Sequence, residues 1–165
     1  MNITIREVKA EDVEEIFRIN AKSFTTDRWS RDAIKRELSL SYSRGYVVEC
    51  NGKIAAYSFV WILQKEAVIM TFAVAPEFRR KGVGKLLLKH IIESLPKQVT
   101  SISLDVRKSN IPAIRLYRSA GFRIVNERPK FYSDKETALF MELRLDKIEQ
   151  YDRGKREKNY EIDRQ

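Results

Sequence analysis

The sequence predicts an α+β fold, a mixed sheet with helices on its faces. Three observations carry that reading. About seven runs have the alternating or continuously apolar pattern of strands. About four segments repeat their apolar residues at helical spacing. The two kinds interleave in the order β-α-α-β-β-β-α-β-α-β-β, which is not the strict alternation of a parallel doubly wound sheet. A length of 165 residues suits one domain with a single core.

The elements follow in order. "ITIREV", Ile3 to Val8, alternates and reads as a strand. Asp12 stands where a side-chain cap belongs for a helix carrying Val13, Ile16, Phe17 and Asn20. "SFTTDRWS" is a loop, and its Ser30 is an N-cap candidate for a second helix with Ala33, Ile34 and Leu38. "GYVVEC-NGK-IAAYSFVWIL" is two strands around the tight turn Asn51-Gly52, the strongest hairpin signal in the chain. "AVIMTFAV" is a buried-looking strand. A helix from about Gly82 to Leu95 is stopped by Pro96. "VTSISLDVR" alternates again, and "SNIPAIRLYRSAGF" is a short helix closed by Gly121. "FRIVNERPKFY" and "TALFMELRL" form a final antiparallel pair. Residues 1–145 are thus expected to be one domain, and 146–165 a charged tail.

Composition bounds the partners. Apolar residues make up 43% and charged residues 33%, with a net charge of +9. The tail from Asp146 to Gln165 carries six Lys/Arg and six Asp/Glu, so the excess lies in the first 145 residues. A basic balance points to an acidic partner: nucleic acid, an anionic membrane or a phosphate-rich small molecule. No apolar run approaches the roughly 20 residues of a membrane span. The start "MNITIREVKAEDVEEI" has no apolar leader core, so a cytoplasmic protein without membrane partners is expected. The single Cys50 and single His90 rule out an intrachain disulfide and are too few for a zinc site; no metal is expected. Cys50 reads as a strand residue and His90 as a packed helix residue.

The chemistry concentrates in "RRKGVGK", Arg79 to Lys85. A strand ends near Val74, Pro76 turns the chain and a helix begins near Gly82. The first turn of a helix has N–H groups without internal partners and carries the positive end of its dipole. Gly82 and Gly84 lack a Cβ, so an anion can approach the backbone. Arg79, Arg80, Lys81 and Lys85 add positive charge, and a diphosphate fits. The spacing is not that of a Walker A loop, because Leu86 follows Lys85, nor of a dinucleotide fingerprint, because position 87 is Leu. Taken alone, the stretch reads equally as a diphosphate cradle or as a glycine-started helix beside solvated cations.

A resemblance separates these readings. "RRKGVG" after "FAVAPEF" resembles the acetyl-CoA-binding signature Arg/Gln-x-x-Gly-x-Gly/Ala of the GNAT acetyltransferase superfamily, and the succession of elements is similar over residues 2 to 145. Over "LDVRKSNIPAIRLYRSAGF" the likeness narrows to protein N-terminal acetyltransferases, both the bacterial ribosomal-protein-alanine type and the archaeal and eukaryotic catalytic subunits. The resemblance implies a mostly antiparallel sheet of about seven strands flanked by four helices. It implies that the strands at 67–75 and 99–106 splay apart. A pantetheine arm then pairs with backbone at Phe72, Ala73 and Val74, while the diphosphate of coenzyme A lies on residues 79 to 85, Val83 included. Asn110 matches an asparagine that bonds the carrier; it is equally placed as a helix N-cap. Tyr117 matches the tyrosine that donates to the leaving thiolate, a role a phenol with pKa ~10 can fill near neutral pH; by spacing alone it reads as a core aromatic. Asp105 stands in "LDVR" where the bacterial alanine-type enzymes have a glutamate, and is implied as the base that takes the amine's proton. Its side chain is one methylene shorter, so a water-mediated path or a merely structural role stays open.

On the substrate side, Phe24 and Trp29 bracket an insert that resembles the peptide loop of these enzymes. The insert is one residue longer than the bacterial pattern, and Thr26 and Asp27 stand where archaeal and eukaryotic subunits carry a glutamate. Phe131 and Tyr132 match an aromatic pair that holds a peptide backbone. The expected partners are protein or peptide N-termini; ribosome proximity and self-association are left open. Two other readings remain: a GNAT enzyme acting on a lysine side chain or small-molecule amine, and, more remotely, a non-catalytic basic nucleic-acid-binding module.

Overall fold

The computed structural model describes residues 2–145, and the tail predicted for 146–165 lies outside the described residues. The elements follow the expected order: β1 (Ile3–Glu7), α1 (Val13–Ser23), α2 (Arg31–Glu37), β2 (Ser43–Cys50), β3 (Lys53–Leu63), β4 (Glu66–Val74), α3 (Val83–Ser94), β5 (Ser101–Arg107), α4 (Ile111–Ser119), β6 (Arg123–Arg128) and β7 (Ala138–Arg144). They build a seven-stranded sheet of order β1-β2-β3-β4-β5-β7-β6. Every pair is antiparallel except β4 with β5. Among the described residues no helix is long and apolar enough to cross a membrane.

Local chemistry sets the boundaries. Asn51 and Gly52 take φ of 52° and 82°, the double positive φ that a two-residue hairpin turn requires. Ser30 accepts from Ala33 N at 3.0 Å and starts α2. At the end of α4, Gly121 adopts φ 102°, its N–H reaches Arg118 O at 2.9 Å and Phe122 N reaches Tyr117 O at 3.0 Å. This double bond closes the last turn. Asp12 departs from expectation. It already has helical backbone angles, φ −83° and ψ −13°, after a short 3-10 turn, and its side chain makes no cap bond to α1. It reaches back instead to Lys9 N at 2.7 Å and to both terminal nitrogens of Arg6 at 2.8 and 2.9 Å. His90 sits half-buried, edge-on to Tyr46 at 5.2 Å.

Two apolar clusters hold the sheet between helices. On one face α3 and α4 bury Leu87, Leu88, Ile91, Ile114 and Tyr117 against Ile69, Ile102, Leu104 and Met141. On the other, α1 and α2 bury Ile16, Ile19 and Ile34 against Val47, Tyr57, Phe59 and Ala73. Full burial of each large aliphatic side chain contributes roughly 1.5–3 kcal/mol.

The sheet has one irregularity that positions the site. Phe59 pairs with Thr71 but Val60 pairs with Ile69, so Met70 is an extra residue in β4. Such a bulge shifts the in–out alternation by one. Ala67 and Ile69 face α3 and α4 before it; after it Phe72 and Val74 face that way, while Thr71 and Ala73 turn toward α1. At the same level β5 leaves β4. Their parallel ladder has three rungs, Glu66 with Ser101, Ala67 with Ile102 and Val68 with Ser103, and then stops.

The packing of β2 on β3 yields a stability test. A methyl group at Gly45 stands 2.5 Å from Phe59 Cε1 and 2.8 Å from Val8 Cγ2, and Phe59 is itself wedged between the rings of Trp29 and Tyr57. Gly45→Ala is expected to lower the urea midpoint at unchanged slope, by about 1–3 kcal/mol of stability; a wild-type midpoint contradicts this packing.

Candidate active site

Where β4 and β5 part, a cleft of about 880 Å³ opens through the sheet, lined by Ile69 to Val74 on one strand and Leu104 to Arg107 on the other. The start of α3, residues 82–85, and Asn110, Ala113, Leu116 and Tyr117 of α4 border it on one side. Asn20, Phe24 to Asp27, Trp29, Phe131 and Tyr132 border it on the other.

The α3 end meets the requirements of an anion site. Gly82 holds φ 79°, and a Cβ there meets nothing within 4 Å, so the backbone is open to a ligand. The following N–H groups of the first turn have no helical partners. Gly84 differs from expectation. A Cβ there stands 3.3 Å from Val74 Cγ2 and 3.4 Å from Leu116 Cδ2, so this glycine lets α3, β4 and α4 close up rather than clearing space for an anion. The cations also divide. Arg80 and Lys85 line the cleft. Arg79 lines it too but donates from Nε to Val74 O at 3.1 Å, tying the loop to the end of β4. Lys81 is not brought to the cleft; its ammonium stands 5.9 Å from the Phe78 ring. Val83, though at the cleft wall, is a core side chain.

Asn110 caps α4, its Oδ1 accepting from Ala113 N at 3.3 Å. Tyr117 is buried edge-on to Phe72 at 5.8 Å and against Phe122 at 5.7 Å. Burial holds its phenol well above the usual range, so it stays protonated. Alternation along β5 buries Leu104 and Val106 under α4 and turns Asp105 and Arg107 to the opposite face. Oδ1 of Asp105 is buried and accepts no hydrogen bond among the described residues; Arg128 Nε stands 3.5 Å away. Burial pushes the Asp105 carboxyl up, and Arg128 opposes the shift only in part. Tyr132 is pushed up to about 12, first by burial and then by the charge of Asp105.

The two loops of the substrate side are joined through Arg107, the last residue of "LDVR", to which the motifs assign no role. Its Nη1 donates to Asp134 at 2.9 Å and to Glu136 at 2.8 Å. Its Nη2 donates to Thr26 Oγ1 and to Asp27 Oδ2, the latter at 3.3 Å. Its guanidinium lies 4.2 Å from the Tyr132 ring centre. Asp27 further accepts from Ser133 N at 3.2 Å and Ser133 Oγ at 3.0 Å. Asp27 therefore binds the opposite loop directly, and Thr26 is tied to it through Arg107. Trp29 stacks on Phe59 at 6.0 Å, Phe24 packs beside it, and exposed Phe131 meets Tyr132 edge-on at 5.0 Å. Thr26 holds the Asp27 carboxyl below its usual range, Arg107 does so for Asp134, and Ser109 with Arg107 for Glu136. The clamp is thus complete at neutral pH and is lost as pH falls through those lowered values. Strand alternation alone places Arg107 on the face of Asp105, and that signal was available in the sequence. Its partners, 27 to 81 positions away, were not.

A cleft that runs through a parted strand pair, with an open helix start on one side and two joined loops on the other, has the two-sided layout of a transferase. The chain belongs to the acetyltransferase (GNAT) family, whose model matches residues 11–122. It is 31% identical over 144 residues to the [ribosomal protein bS18]-alanine N-acetyltransferase of Escherichia coli K12, covering 85% of this chain and 96% of that one. The crystal structure of the E. coli ribosomal-protein-S18-alanine N-acetyltransferase superposes with a TM-score of 0.80 at 30% identity, over 87% of this chain and 94% of that one. Ard1 from Thermoplasma volcanium gives 0.79 at 32% identity, over 89% of this chain and all of the other. An N-alpha-acetyltransferase of Sulfurisphaera tokodaii is 27% identical, covering 83% of this chain and 90% of that one. The family uses acetyl-CoA, and the open Gly82 backbone at the start of α3 fits its diphosphate.

Removing the clamp tests its role. Arg107→Met is expected to raise amide hydrogen exchange in residues 24–29 and 131–136 by roughly tenfold while the sheet core exchanges as before. Arg107→Lys should restore protection only in part, because one ammonium cannot replace a planar fork. Unchanged exchange in both loops refutes the clamp.

Proposed function

We propose that this chain transfers an acetyl group from acetyl-CoA to the free α-amine of a protein N-terminus in the cytoplasm, with Asp105 as general base and Tyr117 as general acid. One observation carries the reading. The cleft passes through the sheet, with protonated Tyr117 on the α3/α4 side and the unbonded carboxylate oxygen of Asp105 on the side of the two loops. The relatives named for N-terminal substrates, with which the chain aligns over most of its length, support it.

Bound acetyl-CoA supplies an activated acyl group as a thioester. The residues that would hold it are Gly82 to Lys85 and Arg80 at the diphosphate, Asn110 at the start of α4, and the free edge of β4 at Phe72 to Val74. The acceptor enters between the loops, where Tyr132 and Phe131 flank an extended chain and Trp29 and Phe24 close the inner end. An α-amine has an ordinary pKa of about 7.7–8.0, so a fraction is neutral near pH 7. Asp105 takes the amine's proton, directly or through one water, and its raised pKa makes it a better proton acceptor than an exposed aspartate. Tyr117 donates toward the departing sulfur.

Two measurements check this. Acetyl-CoA is expected to raise the apparent melting temperature in proportion to the logarithm of its concentration, and mass analysis should find the acetyl group on the α-amine of a peptide that also carries an internal lysine. Acetylated lysine, or small amines turned over in preference, assigns the other branch of the family's chemistry.

The pKa of Asp105 adds a test in two opposed directions. Its carboxyl is raised in the folded chain, so the stability it contributes is full below the unfolded pKa and is lost as pH rises through the folded value. At pH 7 the wild type therefore carries a cost that Asn lacks. Asp105→Asn is expected to lower turnover at least tenfold yet melt at a higher temperature at pH 7, with the gap closing as pH falls. Full activity in the variant removes Asp105 as base.

A further inference from the structure

A chain of buried hydrogen bonds on the loop side of the cleft ends in a proton with no acceptor. Trp29 N donates to Asn20 Oδ1 at 2.9 Å. A backbone N–H can only donate, so this bond fixes which end of the Asn20 amide is oxygen. Nδ2 then donates to Tyr57 Oη at 2.7 Å. Tyr57 accepts there and has its own proton to place, and Thr71 Oγ1 lies 3.0 Å away. Burial raises the Tyr57 phenol, so that proton stays on. The reverse assignment, Thr71 donating to Tyr57, strands the Tyr57 proton among groups that have none to receive it, at the cost of an unmade buried hydrogen bond. Thr71 therefore accepts from Tyr57 and keeps one proton to give. Its Oγ1 donates to no group among the described residues; the other bond at this residue runs from Ser58 Oγ to the Thr71 carbonyl.

Where that proton points follows from the bulge. With Met70 as the extra residue, Thr71 turns to the face of α1, the face that also carries Asp105 and Arg107 on β5. Thr71 is 7% exposed and lines the cleft, beside Asn20, Phe24 and Trp29. An acceptor for it must come with the substrate. The amine has to reach the gap between β4 and β5, and the peptide beyond it runs out past Tyr132 on the far side. The group left facing β4 and α1 is the side chain of the first residue, in a space narrowed by Phe24 and Trp29.

We propose that Thr71 is a specificity-determining residue that donates a hydrogen bond to the side-chain hydroxyl of the substrate's first residue, so that N-terminal Ser and Thr are preferred over Ala and Val. The proposal rests on the N-terminal acetyl transfer argued above. Asn20 and Tyr57 are positioning residues, since they act by fixing the direction of the Thr71 proton. A site built to bond a hydroxyl discriminates against the analogue that lacks it, because its own donor is then left unpaired.

The test uses the full chain and matched peptides that differ only in residue one, Ser against Ala and Thr against Val. Two readouts are taken: kcat/KM with acetyl-CoA, and peptide Kd on the dead-end complex with CoA. Wild type is expected to favour the hydroxylated member of each pair about tenfold in both, the effect of one hydrogen bond of ~1.4 kcal/mol. Thr71→Ser should keep the ratio and Thr71→Val should bring it close to one. Stabilisation by acetyl-CoA certifies that each variant is folded, and Thr71→Ala carries the same comparison where the valine fails that check. A wild type indifferent to the hydroxyl, a ratio that survives Thr71→Val, or a uniform loss on all four peptides overturns the proposal; the last assigns Thr71 to the peptide backbone. If no peptide α-amine is acetylated at all while acetyl-CoA binds, the failure is that of N-terminal transfer itself, and the proposal falls with it.

Discussion

The architecture depends on a sheet that stops pairing in its middle. Unmade backbone hydrogen bonds are expensive when buried, about 1–3 kcal/mol each, so strands do not part without support. Here each is held by its outer neighbour. β3 follows β4 from Leu63 to Ala56, and β7 follows β5 along all seven residues from Ser101 to Arg107. The gap between them is left to solvent, and beyond the Met70 bulge its walls are extended strand backbone. That is a natural berth for an extended arm with amide groups of its own. The helix that begins directly beyond β4 then places its positive end at the mouth of the same gap. One strand thus provides both the free edge and the approach to the helix start that the proposed function assigns to the carrier.

The bulge at Met70 gives this gap two chemically distinct sides. Without the extra residue, Thr71 and Ala73 would continue the face of Ala67 and Ile69, beneath α3 and α4. With it, Phe72 and Val74 take that face, Phe72 edge-on to Tyr117, while Thr71 joins Asp105 on the face of α1. The proposed acid and the proposed base therefore reach the gap from opposite directions, as two substrates that meet in the middle require. The loops that border the second side are not held by the sheet, and Arg107 supplies the missing rigidity. A single guanidinium at the end of β5 bonds residues on both loops, so the slot has one width rather than many.

Legibility in the sequence followed the range of the interaction. The Asn51-Gly52 hairpin, the Ser30 cap and the Gly121 terminus depend on residues within one turn, and each reads correctly from local spacing. The RRKGVG signature is local too, and its helix starts where the glycines say. Within it the roles were less visible. Gly82 clears the approach, whereas Gly84 serves packing against Val74 and Leu116, contacts that spacing cannot show. Asp12 has the residue type of a cap, but the preceding 3-10 turn rotates its side chain toward Arg6. The bulge was out of reach, since "AVIMTFAV" is apolar on both sides of Thr71 and its register exists only against β3. The Arg107 clamp and the Asn20–Tyr57–Thr71 chain were hidden for the same reason, each joining segments far apart in the chain.

The state of the proposed base rests on what keeps its nearest cation away. Arg128 stands 3.5 Å from Asp105 Oδ1 without forming a hydrogen bond. A bidentate pair there would hold the carboxyl low and occupy the oxygen that has to receive a proton. Aromatic neighbours prevent it. The guanidinium lies 4.5 Å from the centre of Phe140, the β7 partner of Asp105, and 5.9 Å from that of Phe131. Attraction to the ring faces competes with the carboxylate for the same planar group. Burial then dominates the shift, and the oxygen stays free. An aspartate, with its short side chain held at the strand, fits this arrangement.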